Sequence, residues 1–121
     1  MDTLVNVILV DDQFQEEGQE ITLTSIGISK EFIKTINIPI LNHAISGYFQ
    51  KSNVVDLSEF KYSSFNYILK YLKTGKIPVF TQDMDISDMI DLSKFLSMDD
   101  KFMKYINVSK EGIFYDSLNT M

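Results

Sequence analysis

The stretch FNYILKYLKTGKIP, from Phe65 to Pro78, decides the fold of this chain of 121 residues. Its apolar residues follow the i, i+3, i+4, i+7 spacing of an amphipathic helix: Phe65, Ile68, Leu69 and Leu72. Ser63 or Ser64 is predicted to cap the helix start, because a hydroxyl can accept from an orphan N–H of the first turn. Gly75 suits the left-handed position that ends a helix, and Pro78 prevents its continuation.

Other segments show either strand or helix patterns. Four segments are rich in β-branched or alternating apolar residues and are predicted as strands: Leu4–Val10, Glu20–Ile26, its hairpin partner Ile28–Ile36, and Val54–Leu57. Three more have helical spacing: Ile40–Phe49, a segment from Ile86 to Leu96 capped by Asp85 or Ser87, and a last one capped by Ser97 and ending at Ile106. This order predicts an α+β fold, with a small mixed sheet packed against a cluster of short α-helices.

Composition restricts the class of partner. Hydrophobic residues make up 45% of the chain, which is enough for a folded core. The net charge is −6, and all 11 basic residues are lysine. Because arginine supplies the forked donor used to bind phosphate and guanine, we expect neither nucleic acid nor membrane as a partner. The chain has no cysteine, which fits a reducing, intracellular compartment, either cytoplasmic or nuclear.

Three sequence features suggest chemistry, and each has a simpler interpretation. Thr74-Gly75-Lys76 contains the Gly-Lys pair of a phosphate-binding loop. It follows the end of a predicted helix, where the helix dipole disfavours phosphate, so it is interpreted as a helix end. The acidic residues of 83–91 lack the glycine and glutamate of a calcium loop, so they are interpreted as a helix cap and a solvated helix face. His43, the single histidine, is a candidate general base. Ser46 lies one helical turn away and no acid is nearby in sequence, so a histidine on the surface or flank of the helix is the simpler interpretation. We therefore predict no enzyme, no metal and no cofactor.

The remaining signal is for contact with protein. Tyrosine is enriched at protein interfaces, methionine makes adaptable surfaces, and exposed carboxylates can meet a basic partner. On this basis, and on their place in the predicted helices, the candidate interaction residues are Tyr48, Phe49, Tyr62, Tyr67, Tyr71, Asp88, Asp91, Met98 and Phe102.

The opening stretch also resembles the helix that follows the third strand in BTB/POZ domains, most closely in the potassium-channel tetramerisation (T1-type) version. Four further segments resemble other parts of that fold: Glu20–Ile36 its first hairpin, Ile40–Phe49 a helix closing on an aromatic pair, Val54–Leu57 with Phe60 its short strand, and Ile90–Met98 its later helix. The similarity divides the chain into an N-terminal strand and loop (1–19), a BTB/POZ-like domain (20–106) and a C-terminal extension (107–121).

The resemblance implies a non-enzymatic interaction module that self-associates and, as in elongin C and Skp-type adaptors, docks onto a cullin in a ubiquitin-ligase complex. The strand Leu4–Val10 would pair either across a dimer or within its own sheet. One alternative is an inhibitor or decoy of cellular BTB or cullin complexes. A more remote alternative is a small enzyme that uses His43 with Ser46 or an acid brought near by folding.

Overall fold

The structure, a computed structural model, describes residues 4–13, 20–45, 53–81 and 83–110. Its elements, in chain order, are β1 (Leu4–Val10), β2 (Leu23–Ser29), α1 (Lys30–Thr35), α2 (Pro39–Ile45), β3 (Val54–Lys61), α3 (Tyr62–Thr74), α4 (Ile86–Phe95) and α5 (Asp100–Lys110). The prediction of an α+β fold is confirmed. The chain forms two compact units that divide between Tyr62 and Ser63, a sheet unit and a helical unit.

The sheet unit is built around β1. The strand order is β2-β1-β3, with β2 antiparallel and β3 parallel to the central strand. The pairing of β1 with β2 joins Leu4 to Ser29 at one end and Val10 to Leu23 at the other. The structure therefore gives one of the two expected outcomes for the first strand, since β1 pairs within its own sheet.

Alternation along β1 produces the core of this unit. Side chains at Val5, Val7 and Leu9 are fully buried, because successive residues of a strand point to opposite faces. Buried residues of the other elements complete the core: Ile28, Ile33, Ile38, Leu41, Val55, Leu57 and Phe60. β3 extends to Lys61, four residues beyond the predicted end, and its register against β1 shifts between Ile8 and Val10.

The prediction of a strand at Ile28–Ile36 is wrong. β2 continues to Ser29, whose Oγ accepts from the Phe32 N–H at 3.1 Å and caps the helix α1. Glu31 in the first turn and Lys34 in the last turn stabilise the helix, because their charges interact favourably with the helix dipole. The predicted hairpin Glu20–Ile36 is therefore replaced by a hairpin of β1 and β2.

The helical unit contains the opening stretch. α3 begins at Tyr62, directly after β3, so the predicted cap at Ser63 or Ser64 is wrong. The C-terminal prediction is confirmed, because Gly75 has φ of 76° and its N–H bonds to the Tyr71 carbonyl at 2.7 Å. Of the two predicted caps of α4, Asp85 or Ser87, Asp85 is the one present, with its carboxylate accepting from the Asp88 N–H at 3.0 Å.

The last helix starts differently from the prediction. Ser97 has a left-handed φ of 57° and does not cap α5; Asp99 Oδ1 does, accepting from the Phe102 N–H at 2.8 Å. α5 runs past the predicted end at Ile106 to Lys110. Residues 46–49 of the predicted helix Ile40–Phe49, and residues 111–121 of the predicted extension, lie outside the described residues.

Candidate protein-interaction surface

Four of the predicted interaction residues lie in the interior of the molecule. Tyr67, Tyr71 and Met98 are less than a tenth exposed, and Phe102 is fully buried. The Phe102 ring lies 5.2 Å from that of Tyr71 and 6.0 Å from that of Tyr67, between centroids. The expectation that these side chains face a partner is corrected, because Tyr67 and Tyr71 of α3 pack against Phe102 of α5 and all four side chains are buried.

The hydroxyls of Tyr67 and Tyr71 on α3 have internal partners. The Tyr67 hydroxyl donates to the Pro78 carbonyl, and the Tyr71 hydroxyl donates to Asp99 Oδ2 at 2.7 Å. Burial raises the pKa of Tyr67 well above its usual range. Burial, with the Asp99 carboxylate adding to it, raises the pKa of Tyr71 to about 12. These hydroxyls fix the packing of the helical unit and are not available to a partner.

The acidic candidates separate into one structural and one surface residue. Asp88 Oδ2 accepts from the buried Ser64 hydroxyl at 2.6 Å, which ties α4 to α3. Asp91 is exposed on α4, and Tyr62 is half-buried at the start of α3. The remaining candidates, Tyr48 and Phe49, lie outside the described residues. Of the candidates that the structure describes, Asp91 alone is exposed.

The sheet unit carries an apolar surface that the sequence analysis did not predict. Leu4, Leu23 and Val54 are 50%, 56% and 45% exposed. The register places all three on one face of the sheet, because Leu23 lies opposite Val10, Val54 lies opposite Asn6, and positions 4, 6 and 10 of β1 point the same way. We call this face, together with the half-buried Ile8 and Val10, the open sheet face.

Small and polar side chains fill the rest of the open sheet face. Along β2 it presents Ser25 and Gly27, and a Cβ built on Gly27 would meet Leu4 Cδ1 at 3.1 Å, so Leu4 lies across the glycine. On β3 it presents Asp56, whose carboxylate accepts from the Ser58 N–H at 2.9 Å. Hydrogen bonding from Ser58 lowers the pKa of Asp56, so the face keeps one negative charge at neutral pH.

The sequence of β1 shows that residues on both of its sides are apolar, but it does not show which side is exposed. LVNVILV, the sequence of β1, is apolar at Leu4, Ile8 and Val10 as well as at the buried odd positions. A strand that is apolar on both sides is typical of a fully covered position in a sheet. The structure leaves one side of β1 uncovered among the described residues, which the pattern alone could not show.

The residues considered for chemistry are only partly among those that the structure describes. His43 is exposed on α2, and its proposed partner Ser46 lies outside the described residues. Within residues 4–13, 20–45, 53–81 and 83–110, no group of three or more histidine or acidic side chains is placed to hold a metal ion. In the same part of the chain, no helix combines the length and apolar character needed to cross a bilayer.

Comparison with known proteins gives no assignment. No protein-family model, curated protein or solved structure matches the chain.

Proposed function

We propose that this chain is a self-associating protein-interaction module of BTB/POZ type. The observation that carries the proposal is the open sheet face, where Leu4, Leu23 and Val54 stay exposed on one side of a three-stranded sheet. Apolar residues that are exposed on one face of a sheet favour contact with a protein partner, because burying them removes apolar surface from water.

The order of the elements supports the family proposal. The resemblance places the helix of Phe65–Pro78 after the third strand, and α3 follows directly on β3, the third strand of the chain. α4 covers most of Ile90–Met98, the second well-matched segment. The cullin-linked adaptor role rests on the resemblance alone, and the lack of cysteine favours an intracellular site for it.

Self-association is the first property to test, by size-exclusion chromatography with light scattering. The monomer mass is 14.0 kDa, so a dimer is easily distinguished. We expect mass above the monomer value in the range from about 1 µM to about 1 mM, where small interfaces assemble. A mass that stays at the monomer value throughout this range would refute self-association.

A matched pair of variants tests the surface. Leu23→Asp places a charge on the open sheet face, and Val79→Asp places the same charge on an apolar residue of similar exposure, 49%, in the helical unit. We expect Leu23→Asp to lower the association and Val79→Asp to leave it unchanged. The reverse pattern would assign the contact to the helical unit and contradict the proposed surface.

A further inference from the structure

The backbone of β2 has a side directed away from β1. The Asp11 N–H bonds to the Thr22 carbonyl at 2.8 Å, so these facing residues form a hydrogen-bonded pair. In an antiparallel ladder such pairs recur at every second residue. With the observed register, the N–H and C=O groups of Leu23, Ser25 and Gly27 therefore point to the outer edge of the sheet.

This outer edge is accessible. Leu23, Ser25 and Gly27 are all exposed, and because glycine has no side chain, the exposure of Gly27 is that of the backbone itself. Within the described part of the chain, β2 pairs with β1 and with no other strand. Three residues thus offer donors and acceptors in the spacing that another strand would match.

The edge also lacks the features that protect sheet edges. Proteins usually place lysine, other charges or proline on an exposed edge strand to prevent pairing with another chain. The outer strand β3 carries Asp56, Glu59 and Lys61, whereas β2, with the sequence LTSIGIS, has no charge and no proline. In a chain of net charge −6, this neutral strand is a place where two copies can meet without local repulsion.

We propose that β2 pairs antiparallel with β2 of a second copy, about a two-fold axis at Ser25. The inference rests on the proposed function and specifies its partner and contact. Ser25 then faces Ser25 of the second copy, and Leu23 faces Gly27 of the second copy on each side of the axis. The result is a continuous six-stranded sheet with the two open sheet faces joined on one side.

One feature favours this register. It sets the large Leu23 side chain opposite Gly27, so that facing positions combine large and small residues.

A charge-swap experiment on the full-length chain tests the axis, because the two-fold makes Ser25 its own partner. Ser25→Lys and Ser25→Asp each place like charges directly opposite across the axis, and each should weaken the dimer about fivefold or more. A mixture of the two variants should restore a heterodimer at least as tight as the wild type. Analytical ultracentrifugation of each variant and of the mixture measures the association.

A proline variant tests the hydrogen bonds themselves. The Ser25 N–H points outward, so Ser25→Pro leaves the ladder with β1 intact and removes one donor from each copy. The loss of both bonds should weaken the dimer about thirtyfold. Far-UV circular dichroism confirms that each variant folds, and Asn107→Lys, an exposed change on α5, controls for added charge.

The outcomes separate this inference from the proposed function. Weakened Ser25→Lys and Ser25→Asp homodimers with a restored mixture support the edge pairing. A dimer that survives all three Ser25 variants but is lost in Leu23→Asp overturns the edge pairing and leaves the open sheet face as the contact. A wild-type chain that remains monomeric overturns both.

Discussion

Replacement of Asp99 by alanine should destabilise the helical unit more than replacement of any neighbouring acid, because one carboxylate has two roles. Asp99 Oδ1 caps α5 by accepting from the Phe102 N–H at 2.8 Å. Asp99 Oδ2 accepts from the Tyr71 hydroxyl at 2.7 Å, which links the start of α5 to the last turns of α3. The two bonds are lost together in Asp99→Ala.

The magnitude follows from the two contacts. Loss of an N-cap costs about 1 kcal/mol of unfolding free energy. A hydrogen bond to a charged acceptor contributes about 1.5 kcal/mol at the lower end of its range, which applies here because Asp99 is exposed and can regain water. We therefore expect Asp99→Ala to cost about 2–3 kcal/mol and Tyr71→Phe about 1 kcal/mol, since the phenylalanine ring keeps its packing on Phe102.

Urea unfolding followed by far-UV circular dichroism measures these costs. Asp99→Asn retains a good cap and weakens the Tyr71 bond, so its cost should be about 1 kcal/mol. Asp100→Ala, the adjacent exposed acid in the first turn, should cost about 0.5 kcal/mol from the helix dipole alone. A double variant of Tyr71 and Asp99 should show about 1 kcal/mol of coupling. Strictly additive costs, or equal costs for Asp99→Ala and Asp100→Ala, would refute the linkage.

Two further predictions concern the same unit. Folding raises the pKa of the Tyr71 hydroxyl to about 12, so the unfolded state loses this proton first, near pH 10. The stabilisation from this hydroxyl should therefore be complete below about pH 10 and should decrease as the pH rises towards about 12. Urea midpoints across this range should fall less steeply in Tyr71→Phe, and equal slopes would contradict the assignment. Gly75→Ala should lower the free energy of unfolding by about 1 kcal/mol, because φ is 76° and, outside the adjacent residues, no atom lies within 4 Å of the added Cβ, so the cost is backbone strain alone. Gly75→Asn, which tolerates this conformation better, should cost less in the same urea assay, and an Asn cost equal to that of Ala would argue against strain.

Local signals in the sequence predicted part of the fold correctly. The bounds of β1, the cap of α4 by Asp85 and the left-handed Gly75 are all present as expected. Each depends on a few adjacent residues whose chemistry has one good solution. The resemblance to BTB/POZ domains, the self-association and the cullin contact stay predictions.

The errors arise where one pattern has two solutions. Ile28, Phe32 and Ile36 are spaced by four, which places residues on one side of a strand and also on one face of a helix. Ser29 favours the helix because its hydroxyl caps the helix start, whereas the β-branched residues near it favour a strand in the sequence pattern. The buried tyrosines were not predictable either, because the partners of their hydroxyls, Pro78 and Asp99, are distant in sequence.

The open sheet face could not be predicted for a related reason. Whether Leu4 and Val54 are covered depends on which strands pair and on what lies over them. The sequence shows that these residues are apolar, and its periodicity shows which face of a strand they lie on. Neither shows how many layers of secondary structure the fold has. The sequence therefore predicts surface candidates on the helices and not the exposed apolar residues of the sheet unit.

The parallel pairing of β1 with β3 sets an order on the assembly of the sheet. Val10 and Leu23 are 13 positions apart in the sequence, whereas Asn6 pairs with Val54, which is 48 positions further along the chain and follows two helices. Closing the longer loop costs more chain entropy, so we expect the hairpin to form first and β3 to dock later. During synthesis, one side of β1 then remains unpaired until Lys61 has left the ribosome. Pulse-labelled hydrogen exchange would show this as late protection of the β3 amides, and simultaneous protection of all three strands would contradict it.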